Sequence, residues 1–215
     1  MEIYSTEEQQ VEAIKKFWQE NGKQIVAGAA LGLIGFFGWN QYVDSKLAAQ
    51  EAASIQFEKF TEAAAAEDVS ADKLDVELKA FVAEHGESGY AVFVNLMAAK
   101  QAVADGKFES ALEHLTQAQS GVSDSSLAGL IATRIARVNL QLEKFDAALA
   151  ALNGIQNPGF KARVAELKGD VYSAQGQIDK ARVEYQTAAD QGGLEGNNVL
   201  KMKLDDLALS AEANG

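Results

Sequence analysis

Two histidines, His85 and His114, and many adjacent carboxylates are the residues of this chain whose types could do chemistry. An imidazole can take or give a proton near neutral pH, and two carboxylates with separated pKa values can divide acid and base work. The spacing builds neither arrangement. His85 stands in "EHGESG", which reads as a solvated loop or helix end, and His114 falls on the outer side of "ESALEHL". Pairs such as Glu67-Asp68 and Asp205-Asp206 read as solvated faces. Cysteine is absent, which removes thiolate nucleophiles, disulfides and thiolate metal sites. No G-x-S-x-G, phosphate-binding glycine loop or H-E-x-x-H occurs. The expectation is no enzyme, no catalytic residue, no metal and no cofactor.

The residues left for function are those that bind. Lys100, Arg134, Arg137 and Arg163 are placed to meet carboxylates if they share one face, with Phe93 and Leu130 as apolar neighbours. Pairing with nearby Glu and Asp on helix surfaces is the simpler reading of the four cations. From Asp44 onward the chain carries 26 acidic and 16 basic side chains. Such a domain repels phosphate backbones, so nucleic acid is not expected as a ligand.

The elements that position these residues begin with an apolar segment. Residues 24–43, "QIVAGAALGLIGFFGWNQYV", hold no charge. As a helix the run would rise roughly 30 Å, the thickness of a bilayer core. Trp39 and Tyr42 lie at its far end, as aromatic rings do at the headgroup level. A secretion signal fits less well, because the preceding tail is long and acidic and no A-x-A follows. A soluble core helix would tolerate Gly28, Gly32, Gly35 and Gly38 poorly. A retained transmembrane helix is therefore expected. Lys15, Lys16 and Lys23 precede it against Lys46 and Lys59 after it, a lean toward a cytoplasmic N-terminus. Gly28, Gly32 and Gly35 make one stripe that Trp39 continues, a face on which another membrane helix could pack.

The tail, residues 1–23, reads as an amphipathic helix started by a Ser5–Glu8 capping box. Val11, Ile14, Phe17 and Trp18 form its apolar stripe, a docking face for a partner or the membrane surface. Asn21-Gly22 reads as a break before the span.

Beyond residue 44 the apolar spacing is helical throughout, with breaks that divide the domain into about eight helices. Ser123 to Ser125 and Asp179 have the makeup of helix starts. Three stretches look alike: "GKFESALEHLTQA", "EKFDAALAALNGI" and "GQIDKARVEYQTA". Their key alanines, Ala111, Ala148 and Ala181, are spaced by 37 and 33 residues, with Ala99, Ala136 and Gly169 at the same distance before each. Tyr172, Tyr185 and Ala188 complete the third and best unit. This resembles the tetratricopeptide repeat, of period about 34, in which small residues let two antiparallel helices approach and pairs stack. Glu143 departs from the pattern where glycine is usual. Units near 92–121, 129–158 and 162–191 would be followed by a closing helix over 194–212. Leu96, Lys100, Thr133 and Arg137 occupy the places where carboxylate-clamping repeats use Lys and Asn, so that clamp is not expected. The fold class is all-α: one N-terminal transmembrane helix, then a tetratricopeptide-like α-solenoid over 44–215.

The opening Met1-Glu2-Ile3-Tyr4, then "QVEAIKKFW", "ENGK", the glycine-rich segment and "TRIARVNLQL" together resemble the family of ancillary subunits of the bacterial Sec translocon. The resemblance covers essentially the full chain. It implies a single-pass protein of the bacterial inner membrane with a periplasmic C-terminal domain. It also implies the SecYEG channel and a membrane-anchored, parvulin-type periplasmic chaperone as partners, with exported polypeptides as clients. The alternative is a homo-oligomeric envelope scaffold built on the glycine stripe.

Overall fold

A computed structural model describes residues 7–66 and 69–212. The Ser5 half of the expected capping box, the opening residues 1–4 and the Glu67-Asp68 pair lie outside the described residues. Every regular element among the described residues is helical. In chain order these are α1 (Glu7–Ala64), α2 (Ala71–His85), α3 (Tyr90–Ala104), α4 (Phe108–Ser120), α5 (Ser125–Gln141), α6 (Phe145–Asn153), α7 (Lys161–Ala174), α8 (Ile178–Ala188) and α9 (Asn198–Glu212). A 3-10 turn, Pro158–Phe160, precedes α7, and a π turn, Ala189–Gly193, follows α8. The chain divides into two compact units, Met1–Ala52 and Ala53–Gly215.

In the first unit the helix runs unbroken through Asn21-Gly22, where the sequence suggested a break. The Asn21 amide donates to the Phe17 carbonyl at 3.1 Å, as a helix-interior residue can. Gly22 leaves room for the Trp18 ring, which lies 3.4 Å from where a Cβ would stand. A pair of turn-forming residues is thus absorbed by local contacts. The side chains of residues 24–43 are exposed along their whole length. By average hydropathy no helix among the described residues is long and apolar enough to cross a membrane. Four glycines, Asn40 and Gln41 dilute this otherwise uncharged run.

The second unit is built from helix pairs. α3 packs on α4, α5 on α6 and α7 on α8. Each pair closes with the same turn. The Lys107, Lys144 and Gln177 amides donate to the carbonyls five residues back, Ala102, Asn139 and Tyr172, each at 2.8 Å. Such a turn needs one left-handed residue. Gly106 (φ 74°) and Gly176 (φ 72°) take it freely, and Glu143 takes it at φ 55°.

The alanines expected at the pair contacts are buried: Ala99, Ala111, Ala136, Ala148, Ala181 and Ala188. At Gly169 the approach is closest, since a Cβ there would stand 2.4 Å from the Tyr185 ring. The starts of α5 and α2 carry polar caps. Asp124 accepts from the Ser126 and Leu127 amides, and Ser70 from Lys73. Asp179 lies inside the first turn of α8 rather than at its cap, and pairs with Arg182 at 3.1 Å. Asp105, from the far end of α3, accepts the Ala71 amide at 2.7 Å and so caps α2 across the fold. That bond and the Gln101 amide hold its carboxyl below the usual range.

Apolar burial is laid out as a series of clusters. Phe60, Leu74 and Phe81 anchor one end. Leu115, Ile131 and Val138 follow, then Leu152 and Leu167. Tyr185, Leu200 and Leu207 close the other end under α9. Leu204 packs there too, so the expected inward face of the closing helix is in place, with Asp205 and Asp206 outward.

Candidate interaction groove

The first helix of each pair presents one face to a shared groove of about 820 Å³. Its apolar lining includes Phe93, Leu96 and Val103 of α3, Val138 of α5 and Leu167 of α7, with Phe57 from the end of α1 and Phe108 from the start of α4. Phe57 and Phe93 meet edge to face at 6.4 Å, and Phe93 stays 48% exposed. Lys100, Arg134 and Arg137 add three cations to the same lining. None of the three has an ion pair or hydrogen bond through its side chain among the described residues. The one carboxylate of the lining, Asp170, is already engaged by Lys203 at 2.6 Å and the Tyr185 hydroxyl at 2.8 Å.

Of the groove residues suggested by sequence, Phe93, Lys100 and Arg137 come together here. Leu130 and Arg163 do not line the groove. Leu130 is exposed on α5, and Arg163 turns to Glu166 at 2.9 Å. Glu166 is 5% exposed and also takes Lys203 at 2.9 Å and the Asn197 amide at 3.2 Å. Burial would raise its carboxyl, but Lys203 and Arg163 outweigh that and hold it below the usual range. Burial, then the bond to Asp170, pushes the Tyr185 phenol up. Tyr172 is half-buried beneath the Lys180 ammonium at 5.4 Å. Sequence reasoning missed Phe57 and Phe108, which arrive from outside the first helices, and Asp170, although it follows Gly169 as Lys100 follows Ala99 and Arg137 follows Ala136. The three-residue spacing of Phe57 and Phe60 is the signal that would have found the packed end of α1.

The other suggested surfaces are bare. Val11, Ile14, Phe17 and Trp18 are exposed on α1. Gly28, Gly32 and Gly35 have nothing within 4 Å of an added Cβ, and Trp39 is exposed, 5.9 Å from Tyr42.

The histidines sit apart. His85 ends α2 with its ring 5.4 Å from Phe81. His114 is not on the outer side of α4. It is 5% exposed, with Ser110 at 3.4 Å and the Asp75 carboxylate at 3.9 Å, because α2 brings Asp75 over that face. Its Nδ1 has no partner. No group of His, Asp and Glu that could hold a metal occurs among the described residues.

The profile of the tetratricopeptide repeat-like domain family matches residues 15–209. A protein of Haemophilus influenzae, named ancillary SecYEG translocon subunit, is 33% identical over 94% of this chain and 97% of its own length. One of Escherichia coli with the same name is 32% identical over 97% of this chain and all of its own. Among solved structures, MamA (41-end) from Desulfovibrio magneticus RS-1 is similar in fold, with a TM-score of 0.57 and 13% identity over 76% of this chain and 86% of that one. The repeated turn, the alanine contacts and these likenesses agree: the chain belongs to the tetratricopeptide repeat-like family, and within it to the group whose curated members are named ancillary SecYEG translocon subunits.

Proposed function

We propose that this chain is a non-enzymatic accessory subunit of the Sec protein-export channel that links the channel to periplasmic chaperones and exported client proteins. The observation that carries the reading is the joining, within this family, of a bare apolar helix to a helical-repeat interaction fold. Val26, Leu31, Ile34, Phe36 and Phe37 are all more than half exposed on an uncharged stretch. A soluble monomer does not leave so long an apolar surface in water. Lipid and a neighbouring membrane helix would cover it. The average hydropathy is lowered by glycines, which membrane helices use as packing surface. Residues 24–43 then span the bacterial inner membrane, residues 1–23 face the cytoplasm and the repeat domain, 44–215, works in the periplasm. A parvulin-type, membrane-anchored chaperone is the second partner that the family resemblance implies.

The test is purification of the full-length chain from membranes in mild detergent, with mass spectrometry of what accompanies it. Translocon subunits and a periplasmic chaperone are expected, and both should be lost when Gly28, Gly32 and Gly35 are replaced by leucine. The open glycine stripe equally favours close approach of a second copy. Recovery of the chain alone, as an oligomer that the same leucines disperse, would support the envelope scaffold instead.

A further inference from the structure

The groove between the first helices of the pairs has a charge that the rest of its domain lacks. The whole chain carries 31 acidic and 19 basic side chains. Some cations of the domain face a carboxylate: Lys79 meets Asp75, Lys107 meets Asp72, Arg182 meets Asp179 and Lys203 meets Glu166. Lys100, Arg134 and Arg137 do not, and all three are exposed in the lining of one groove. The single carboxylate in the lining is neutralised by Lys203. An unpaired positive cluster in an acidic domain attracts negative groups and tells them from neutral ones.

The same surface is apolar between the cations. Phe57, Phe93, Leu96 and Val103 are interleaved with Lys100, and Val138 with Arg134 and Arg137. An occupant with one anionic head and one apolar tail would leave two of the three cations unanswered. A chain with carboxylates set among apolar side chains answers all three. We propose that this groove is a receptor for a peptide segment of a partner protein in which Asp or Glu alternates with large apolar residues. Arg134 and Arg137, one helical turn apart on α5, take carboxylates in forked hydrogen bonds. Lys100 takes a third across the groove on α3, and Phe93 with Phe57 receives the apolar side chains. This rests on the reading of the repeat domain as the receiving part of an accessory subunit, and it names what that part receives.

Isothermal titration of the purified full-length chain tests it, with capped peptides that alternate Leu and Phe with Glu, with Gln or with Lys. The Glu peptide should bind on the order of tenfold tighter than the Gln peptide, since three partly exposed ion pairs each contribute modestly. That advantage should fade toward ~1 M salt, where the screening length falls to about 3 Å. Replacing Lys100, Arg134 and Arg137 together by Gln should abolish the preference while leaving weak binding of both peptides. Replacing all three by Glu should turn the preference toward the Lys peptide, which no loss of folding could mimic. Phe93→Ser should weaken the Glu and Gln peptides alike. Equal affinity for the Glu and Gln peptides, no binding of either, or a preference untouched by the triple Gln variant would each overturn the proposal. So would laurate binding at the groove when no peptide does. Because the probes are isolated peptides, such a failure leaves the co-purification with translocon subunits standing. Loss of that co-purification with peptide selectivity intact would instead overturn the translocon reading.

Discussion

Glu143 holds a backbone conformation that its counterparts Gly106 and Gly176 adopt without a side chain. A side chain in the left-handed region costs roughly 1–2 kcal/mol, partly offset because glycine loses more freedom on folding. Glu143→Gly should therefore stabilise the domain by about 0.5–1 kcal/mol, read as a rise in the urea midpoint at constant slope. Gly169→Ala should do the opposite. Its Cβ would press on the Tyr185 ring, and overpacking of this kind costs about 1–3 kcal/mol. His114 gives the domain a pH dependence. Burial holds its imidazole below the ordinary value near 6.5, helped by the Lys79 charge and opposed by Asp75 and Glu113. As pH falls past that value the unfolded chain takes up a proton before the folded one does. The stability is thus complete above the ordinary histidine range and is lost as pH falls through it toward the folded value. Urea midpoints from pH 7 to pH 5 should fall in the native chain and fall less in His114→Gln.

The elements were more readable than the contacts among them. Glycine, asparagine and proline mark the breaks between helices except those before α2 and α6, and the recurring alanines show which helices pair, because both signals are local in the chain. Asn21-Gly22 misleads because a helix can absorb such a pair when Trp18 folds over the glycine and Asn21 bonds back to Phe17. Asp105 as the cap of α2, and Asp75 over His114, needed knowledge of which helices lie side by side. The groove was half legible for the same reason. Lys100 and Arg137 share a register on neighbouring first helices, and Asp170 holds the same register on α7 with the opposite charge, whereas Phe57 and Phe108 come from outside the first helices. Arg163 is a cation of the right type that a buried carboxylate captures first. That carboxylate, Glu166, also ties α9 to α7 through Lys203. Lys203→Met removes one partner of a buried charge that Arg163 still partly answers. The cost should be about 1–2 kcal/mol, less than for a wholly uncompensated pair. Hydrogen exchange should quicken first in α9.

At the scale of the whole molecule the repeat domain has its own core, which begins at Ala53, Phe57 and Phe60. A fragment of residues 44–215 should be soluble, helical by circular dichroism and cooperative in urea. A fragment of residues 65–215 should be weaker, since it uncovers Leu74, Leu78 and Phe81. An unfolded 44–215 fragment would place part of the domain's support before residue 44. The apolar clusters follow one another along the stack instead of meeting at one centre. Under tension applied at its two ends, such a body does not snap as a unit. In an optical trap it should lengthen in several small steps, starting from α9, and recover them in reverse. The domain would then act as a compliant spring, giving ground under a pulling load without losing the far end of its structure.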